Sequence, residues 1–355
     1  MDPNPEPLLR SAADRAVRYL QSLPERPVAP PPEALARLAE LDEPLPETPG
    51  DPAETLQRLD DLCTPAAVGS AGPRYFGFVI GGALPVTLAA NWLAGAWDQN
   101  TGLYVAAPAT TVLEEVALRW LLDVLHLPPG SGGGFVTGAT VANFTALAAA
   151  RHAVLARAGW DVEADGLFGA PPVTVVTGAE AHPSLIKSLG LLGLGRNRLV
   201  RLPVDGQGRA IASNLPELTG PAIVCVQAGN VNTGVFDPIG QLSDWAHAHG
   251  AWVHVDGAFG IWARAVPARA HLTEGADQAD SWATDMHKWL NVPYDSGLAL
   301  VRDPEALRRA MAITAAYLPQ GDHREPSQFV PELSRRARGV EVWAALRVLG
   351  RAGLA

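Results

Sequence analysis

The chain has 355 residues, enough for one large domain or two smaller ones, and its 48% hydrophobic and 18% charged residues mark it as globular rather than disordered. A formal net charge of -10 without any run of basic residues argues against nucleic acid or an anionic membrane as partner. Cys63 and Cys225 lie far apart without metal-ligand spacing, no long apolar run suggests a membrane span, and the start Met-Asp-Pro-Asn-Pro-Glu is unlike a signal peptide, so a soluble, cytoplasmic chain is expected.

In chain order, Glu6 to Leu23 has helical spacing, with Leu9, Ala13, Val17 and Leu20 able to share a face, and the proline-rich stretch from Pro24 to Pro32 ends it. The first fifty residues therefore read as an arm. Pro73-Arg-Tyr75-Phe76-Gly-Phe78 is an aromatic cluster, either ordinary core or pocket wall. Thr111 to Leu127 reads as an amphipathic helix through Leu113, Val116, Ala117, Trp120, Leu121, Val124 and Leu125. Gly130 to Thr140 reads as a glycine-rich turn opening a helix from Val141 to Gly159, an arrangement that offers free N–H groups to an anion. It lacks both the P-loop ending and the dinucleotide spacing.

Val173 to Thr177 reads as a buried strand with His182 beyond its end, and Ala222 to Gln227 as another, followed by the turn-forming stretch Gly229 to Gly234. Leu242 to His249 is helical, and His247, His249 and His254 fit no common zinc spacing, so no metal is expected. Trp252 to Val255 and Ser281 to Thr284 are too apolar to face water on either side, which suits a parallel sheet covered by helices. Asp256 and Lys288 follow them, on the side of such a sheet where ligands bind. Pro304 to Ala312 is helical, and a breaker-rich loop from Tyr317 to Pro326 leads to a helical stretch from Glu332 to Gly350.

Lys288 stands out by scarcity. Of 27 basic residues only Lys187 and Lys288 are lysines, in a sequence rich in Ala, Arg, Gly and Pro. A lysine kept against such a drift to arginine marks a position where an amine is needed, since a guanidinium cannot form a Schiff base. A surface or ion-paired lysine is the plain alternative.

The elements His254-Val-Asp256-Gly-Ala258-Phe-Gly and His287-Lys288-Trp-Leu-Asn, at this separation, resemble those of the pyridoxal phosphate-dependent group II amino-acid decarboxylases, which include aromatic-amino-acid and glutamate decarboxylases. The resemblance runs from about Pro73 to Gly350. It implies an α/β fold of pyridoxal-phosphate fold type I, like aspartate aminotransferase, with a mostly parallel central sheet flanked by helices. It further implies that residues 1–60 form a helical arm packing on a second subunit of a homodimer, 61–330 the large cofactor-binding domain, and 331–355 a helix leading to a C-terminal domain absent from this chain.

By the same resemblance, Lys288 holds pyridoxal 5'-phosphate as an internal aldimine and Asp256 pairs with its ring nitrogen. Gly138, Ala139 and Thr140 match the phosphate-binding turn, although the family often has Ser followed by Glu where this chain has Thr140-Val141. Ala258 and His287 complete the cofactor contacts, His182 stacks on the ring and faces the substrate, and Tyr317 matches the mobile-loop tyrosine that protonates the product carbon. An L-amino acid is then converted to its amine. Transamination or aldehyde formation on the same fold, an inactive fragment, and a Rossmann-type dehydrogenase remain as rivals; the missing dinucleotide fingerprint opposes the last.

Overall fold

The computed structural model describes residues 4–313 and 323–355. Two compact units divide it, Met1–Gly82 and Ala83–Ala355. The first holds helices α1 (Glu6–Ser22), α2 (Pro32–Arg37) and α3 (Pro52–Ala66). Asp51 caps α3 by accepting the N–H groups of Ala53 and Glu54, and an ion pair of 2.7 Å joins Arg15 of α1 to Asp60 of α3. No residue of α1 is buried: Leu9, Val17 and Leu20, the expected apolar face, are exposed. Phe76 and Phe78 are exposed too, which removes the ordinary-core reading of that cluster within the single chain.

Among the described residues the second unit is built on seven strands: β1 (Gly132–Val136), β2 (Thr174–Gly178), β3 (Val200–Leu202), β4 (Ala222–Gln227), β5 (Trp252–Asp256), β6 (Ser281–Asp285) and β7 (Gly297–Val301). Their order in the sheet is β1-β7-β6-β5-β4-β2-β3. All neighbouring pairs are parallel except β7, which runs against both β1 and β6. The expected mostly parallel α/β sheet is therefore present.

Helices α4 (Pro85–Trp97), α5 (Pro108–Val124), α6 (Ala139–Arg157), α7 (Val162–Asp165), α8 (Pro183–Leu191), α9 (Ile239–Ala248), α10 (Pro304–Met311) and α11 (Gly339–Leu354, interrupted at Gly350) accompany it. The pleat sends alternate residues to opposite faces. Val224, Val226, Val253, Val255, Trp282, Leu298 and Leu300 join a core with α5, α9 and α11, while Ile223, Cys225, Trp252, Ala283 and Ala299 join another with α6, α8 and α10. Each buried apolar side chain contributes on the order of 1.5–3 kcal/mol, so these two layers fix the sheet firmly between its helices.

Three expectations need correcting. The glycine run is not wholly a turn: Gly132 to Gly134 belong to β1, where a Cβ on Gly133 would stand 2.7 Å from Leu300 and 2.9 Å from Leu118. The buried face of α5 includes Thr110, Glu114 and Leu118, whereas Leu113 and Val116 are only partly buried. The final helix starts at Gly339, not Glu332, after an irregular stretch that Arg335 ties down through the Thr101 and Phe135 carbonyls.

Candidate active site

The pleat that sorts the core also builds the site. On β5 the residues facing α6 are Trp252, His254 and Asp256, and on β6 they are Ser281, Ala283 and Asp285, one side chain apart along each strand. Both strands end in an aspartate that is almost fully buried. Register pairs Asp256 with Ala283 and Gln227, and Asp285 with Gly297, so these ends form one rim.

Among the described residues, Asp256 accepts two long hydrogen bonds, from Asn143 Nδ2 at 3.3 Å and from the Ala258 N–H at 3.3 Å. Burial pushes its carboxyl up from the usual range, against the pull of the Ala258 N–H, His182, Asn143 and Lys288. Behind it a polar chain crosses the core. Ser281 Oγ lies 2.9 Å from His254 Nδ1, His254 Nε2 lies 2.8 Å from Asn143 Oδ1, and Asn143 reaches Asp256 through its amide nitrogen. Complete burial drives the His254 pKa down to about 3, so the ring is neutral, and Nε2 donates to Asn143 while Nδ1 accepts from Ser281. The chain of donors points at Asp256 and orients it.

Lys288 follows β6 by three residues and is partly buried, its Nζ 2.8 Å from Asp285 Oδ2. Asp285 Oδ1 accepts the Ala139 N–H at 2.6 Å, at the first residue of α6, and lies 3.4 Å from His287 Nε2. The Ser296 N–H donates to His287 Nδ1, leaving the proton on Nε2, and burial lowers the pKa of this ring. Gly138 precedes α6 without any side-chain cap. A Cβ on Gly297 would stand 2.5 Å from the Gly138 Cα, so glycine is required where β7 meets the start of α6.

Of the expected residues, Gly138, Ala139, Asp256, Ala258, His287 and Lys288 gather at this rim, Ala258 through its carbonyl, which accepts the Asp285 N–H at 3.0 Å. Thr140 lies in the first turn of α6, with its carbonyl accepting from Ser188. His182 caps α8: its Nδ1 accepts the Ser184 N–H at 3.2 Å, and its own N–H donates to Gln227 at the end of β4. Tyr317 lies outside the described residues. Asn143, Ser281 and Asp285 were not among the residues expected from sequence. Asp285 alone carried a signal there, as a charge at the end of an apolar strand.

Chemically, the rim offers a lysine amine, a buried carboxylate short of counter-charge, and the start of a long helix whose first N–H is held by Asp285. An aldehyde, a protonated ring nitrogen and an anionic tail suit these three features in turn.

Residues 32–355 match the family described as pyridoxal-dependent decarboxylase conserved domain. The chain is 27% identical over 352 residues to an aromatic-L-amino-acid decarboxylase of Bacillus atrophaeus, covering 96% of this chain and 71% of that protein. It is 30% identical over 341 residues to the acidic amino acid decarboxylase GADL1 of Bos taurus, covering 91% of this chain and 63% of that protein. Among solved structures, Oryza sativa TDC with PLP and tryptamine superposes with a TM-score of 0.90 at 26% identity, over 100% of this chain and 76% of that one. The chain belongs to the pyridoxal-dependent decarboxylases, amino-acid carboxy-lyases whose cofactor is pyridoxal 5'-phosphate.

Proposed function

We propose that this chain converts an L-amino acid to its amine, with Lys288 bonding the cofactor and Asp256 facing its ring nitrogen. The observation that carries this reading is the convergence, at the ends of adjacent strands β5 and β6, of a buried carboxylate with weak partners and a lysine amine. When bound, pyridoxal phosphate supplies an aldehyde that condenses with amines and a ring that accepts the electrons released with carbon dioxide.

The chain's own groups do the rest. Asp256, held by the Asn143 amide, keeps a proton on the ring nitrogen. Gly138, Ala139 and Thr140 offer the phosphate the start of α6, its N–H groups and a hydroxyl. His182 presents its Nε2 proton, because Nδ1 is committed to the Ser184 N–H, and forms the wall that orients the substrate carboxylate. Ala258 and His287 border the cofactor, and Tyr317 delivers the proton to the product carbon. The protein works as a cytoplasmic homodimer with the 1–60 arm on its partner and 61–330 as cofactor domain, while 331–355 carries α11. The named relatives act on aromatic and on acidic amino acids, and the proposal is for an L-amino acid of either kind.

Borohydride reduction with pyridoxal phosphate, followed by peptide mass mapping, tests the central assignment. The chain has two lysines, and Lys187 is exposed. An adduct on Lys288 together with release of carbon dioxide and an amine supports the reading; equal labelling of both lysines, or an aldehyde product, overturns it.

A further inference from the structure

Asp285 engages both ends of the proposed cofactor site at once. Its Oδ1 accepts the Ala139 N–H at 2.6 Å, and its Oδ2 sits 2.8 Å from Lys288 Nζ, with His287 Nε2 3.4 Å from Oδ1. Its side chain is only 4% exposed, so its charge is poorly screened by water. The bare Gly138 leaves room for it: a Cβ there would stand 3.2 Å from Oδ1.

These partners are the groups assigned above to the cofactor. A phosphate at the start of α6 seeks the Ala139 N–H, which the carboxylate already takes. Lys288 bonds to an aldehyde carbon only as a free amine, and must first leave its ion pair with Asp285. A carboxylate and a phosphate sharing one buried helix start also repel each other, by an amount that low dielectric enlarges.

We propose that Asp285 is a built-in competitor of the cofactor, holding the phosphate's N–H donor and the Lys288 ammonium so that the site binds pyridoxal phosphate more weakly than a neutral residue would allow. This rests on the reading that α6 receives the phosphate and Lys288 the aldehyde. Cofactor occupancy then follows the supply of pyridoxal phosphate instead of being saturated at all times.

The test is titration of the cofactor-free full chain with pyridoxal phosphate, following its absorbance, and separately with inorganic phosphate, following Tm. Asp285→Asn removes the charge while its amide oxygen still accepts the Ala139 N–H. The dissociation constant for pyridoxal phosphate is expected to fall roughly tenfold or more. Inorganic phosphate, which has no aldehyde, is expected to raise Tm at lower concentration in this variant than in the parent. Asp285→Ser, an independent neutral replacement with a hydroxyl able to cap the helix, must move both readouts in the same direction. Unchanged or weaker cofactor binding in these variants, with Lys288 still labelled by borohydride in the parent, overturns the competitor role and leaves the proposed function standing. Failure to label Lys288 in the parent overturns both.

Discussion

Two clusters of buried charge share the second unit, and they are neutralised differently. Around Glu114 the charges answer one another: Arg335 lies 2.7 Å away with both side chains essentially inaccessible, and its guanidinium also donates to the Thr101 and Phe135 carbonyls. Burial pushes the Glu114 carboxyl up while Arg335, Arg324 and Arg338 pull it down, and burial lowers Arg324 to about 10. Asp256 is as deeply buried, yet it accepts two long bonds from neutral groups and, among the described residues, has no ion pair. The first cluster pairs its carboxylate with an arginine and serves the fold. The second is left short of positive charge, which is a capacity to hold a cation such as a protonated ring.

Substitutions can break this contrast or sharpen it. Lys288→Ala is expected to abolish decarboxylation and the borohydride adduct altogether; a fully active variant would sink the assignment. Asp256→Asn should lower the turnover number on the order of a hundredfold or more, because the ring proton loses its counter-charge. Denaturation of its cofactor-free form should show stability equal to or above the parent's, since a poorly compensated buried charge has gone. Glu114→Ala should do the reverse. Leaving Arg335 buried without its partner costs about 3–5 kcal/mol, read by urea denaturation, while the folded protein binds pyridoxal phosphate with the parent's affinity.

Asn143→Ala unpairs His254 and loosens Asp256, for a loss of about 1–3 kcal/mol. His254→Gln reshapes the acid limb of the stability curve. The folded ring titrates near 3 and the unfolded near 6.5, so the folded state binds fewer protons between those values. Its contribution to stability is complete above pH 6.5 and is lost as pH falls towards 3, by about 1.4 kcal/mol for each pH unit crossed. Stability measured at several pH values should fall less steeply in the Gln variant across that window; parallel curves would refute a neutral buried His254.

How far the sequence discloses this contrast depends on the distance over which each residue acts. Asp256 and Lys288 were legible because each follows an apolar strand, a local pattern, and because a lysine is rare in this chain. Asn143 was not: it is one polar residue within an apolar helix, and its partner Asp256 is 113 positions away. Asp285 finds Ala139 across 146 positions. Glu114 lies on the face of α5 that carries Ala117 and Leu121, a placement that helical periodicity permits but that hydrophobicity alone rejects, until Arg335 arrives from the end of the chain. The glycine run misled for a related reason. Glycine usually marks a turn, and the crowding that demands it in β1 comes from Leu118 and Leu300, remote in sequence.

The placement of β1 beside β7 reaches into the biosynthesis of the protein. With β7 as the strand that pairs with β1, the sheet closes at that side only after most of the second unit has been made. At about 5–20 residues per second, the 161 residues that separate Val136 from its partner Gly297 take roughly 8–30 s on the ribosome. Throughout it β1 waits as a strand without its mate, the condition under which nascent chains stick to one another. Its Gly132-Gly133-Gly134 segment, demanded by packing in the finished molecule, is a poor template for such pairing, since glycine lowers β-propensity and offers no side chain to interdigitate. One stretch of glycine thereby answers both the crowding of the native sheet and the exposure of the nascent chain.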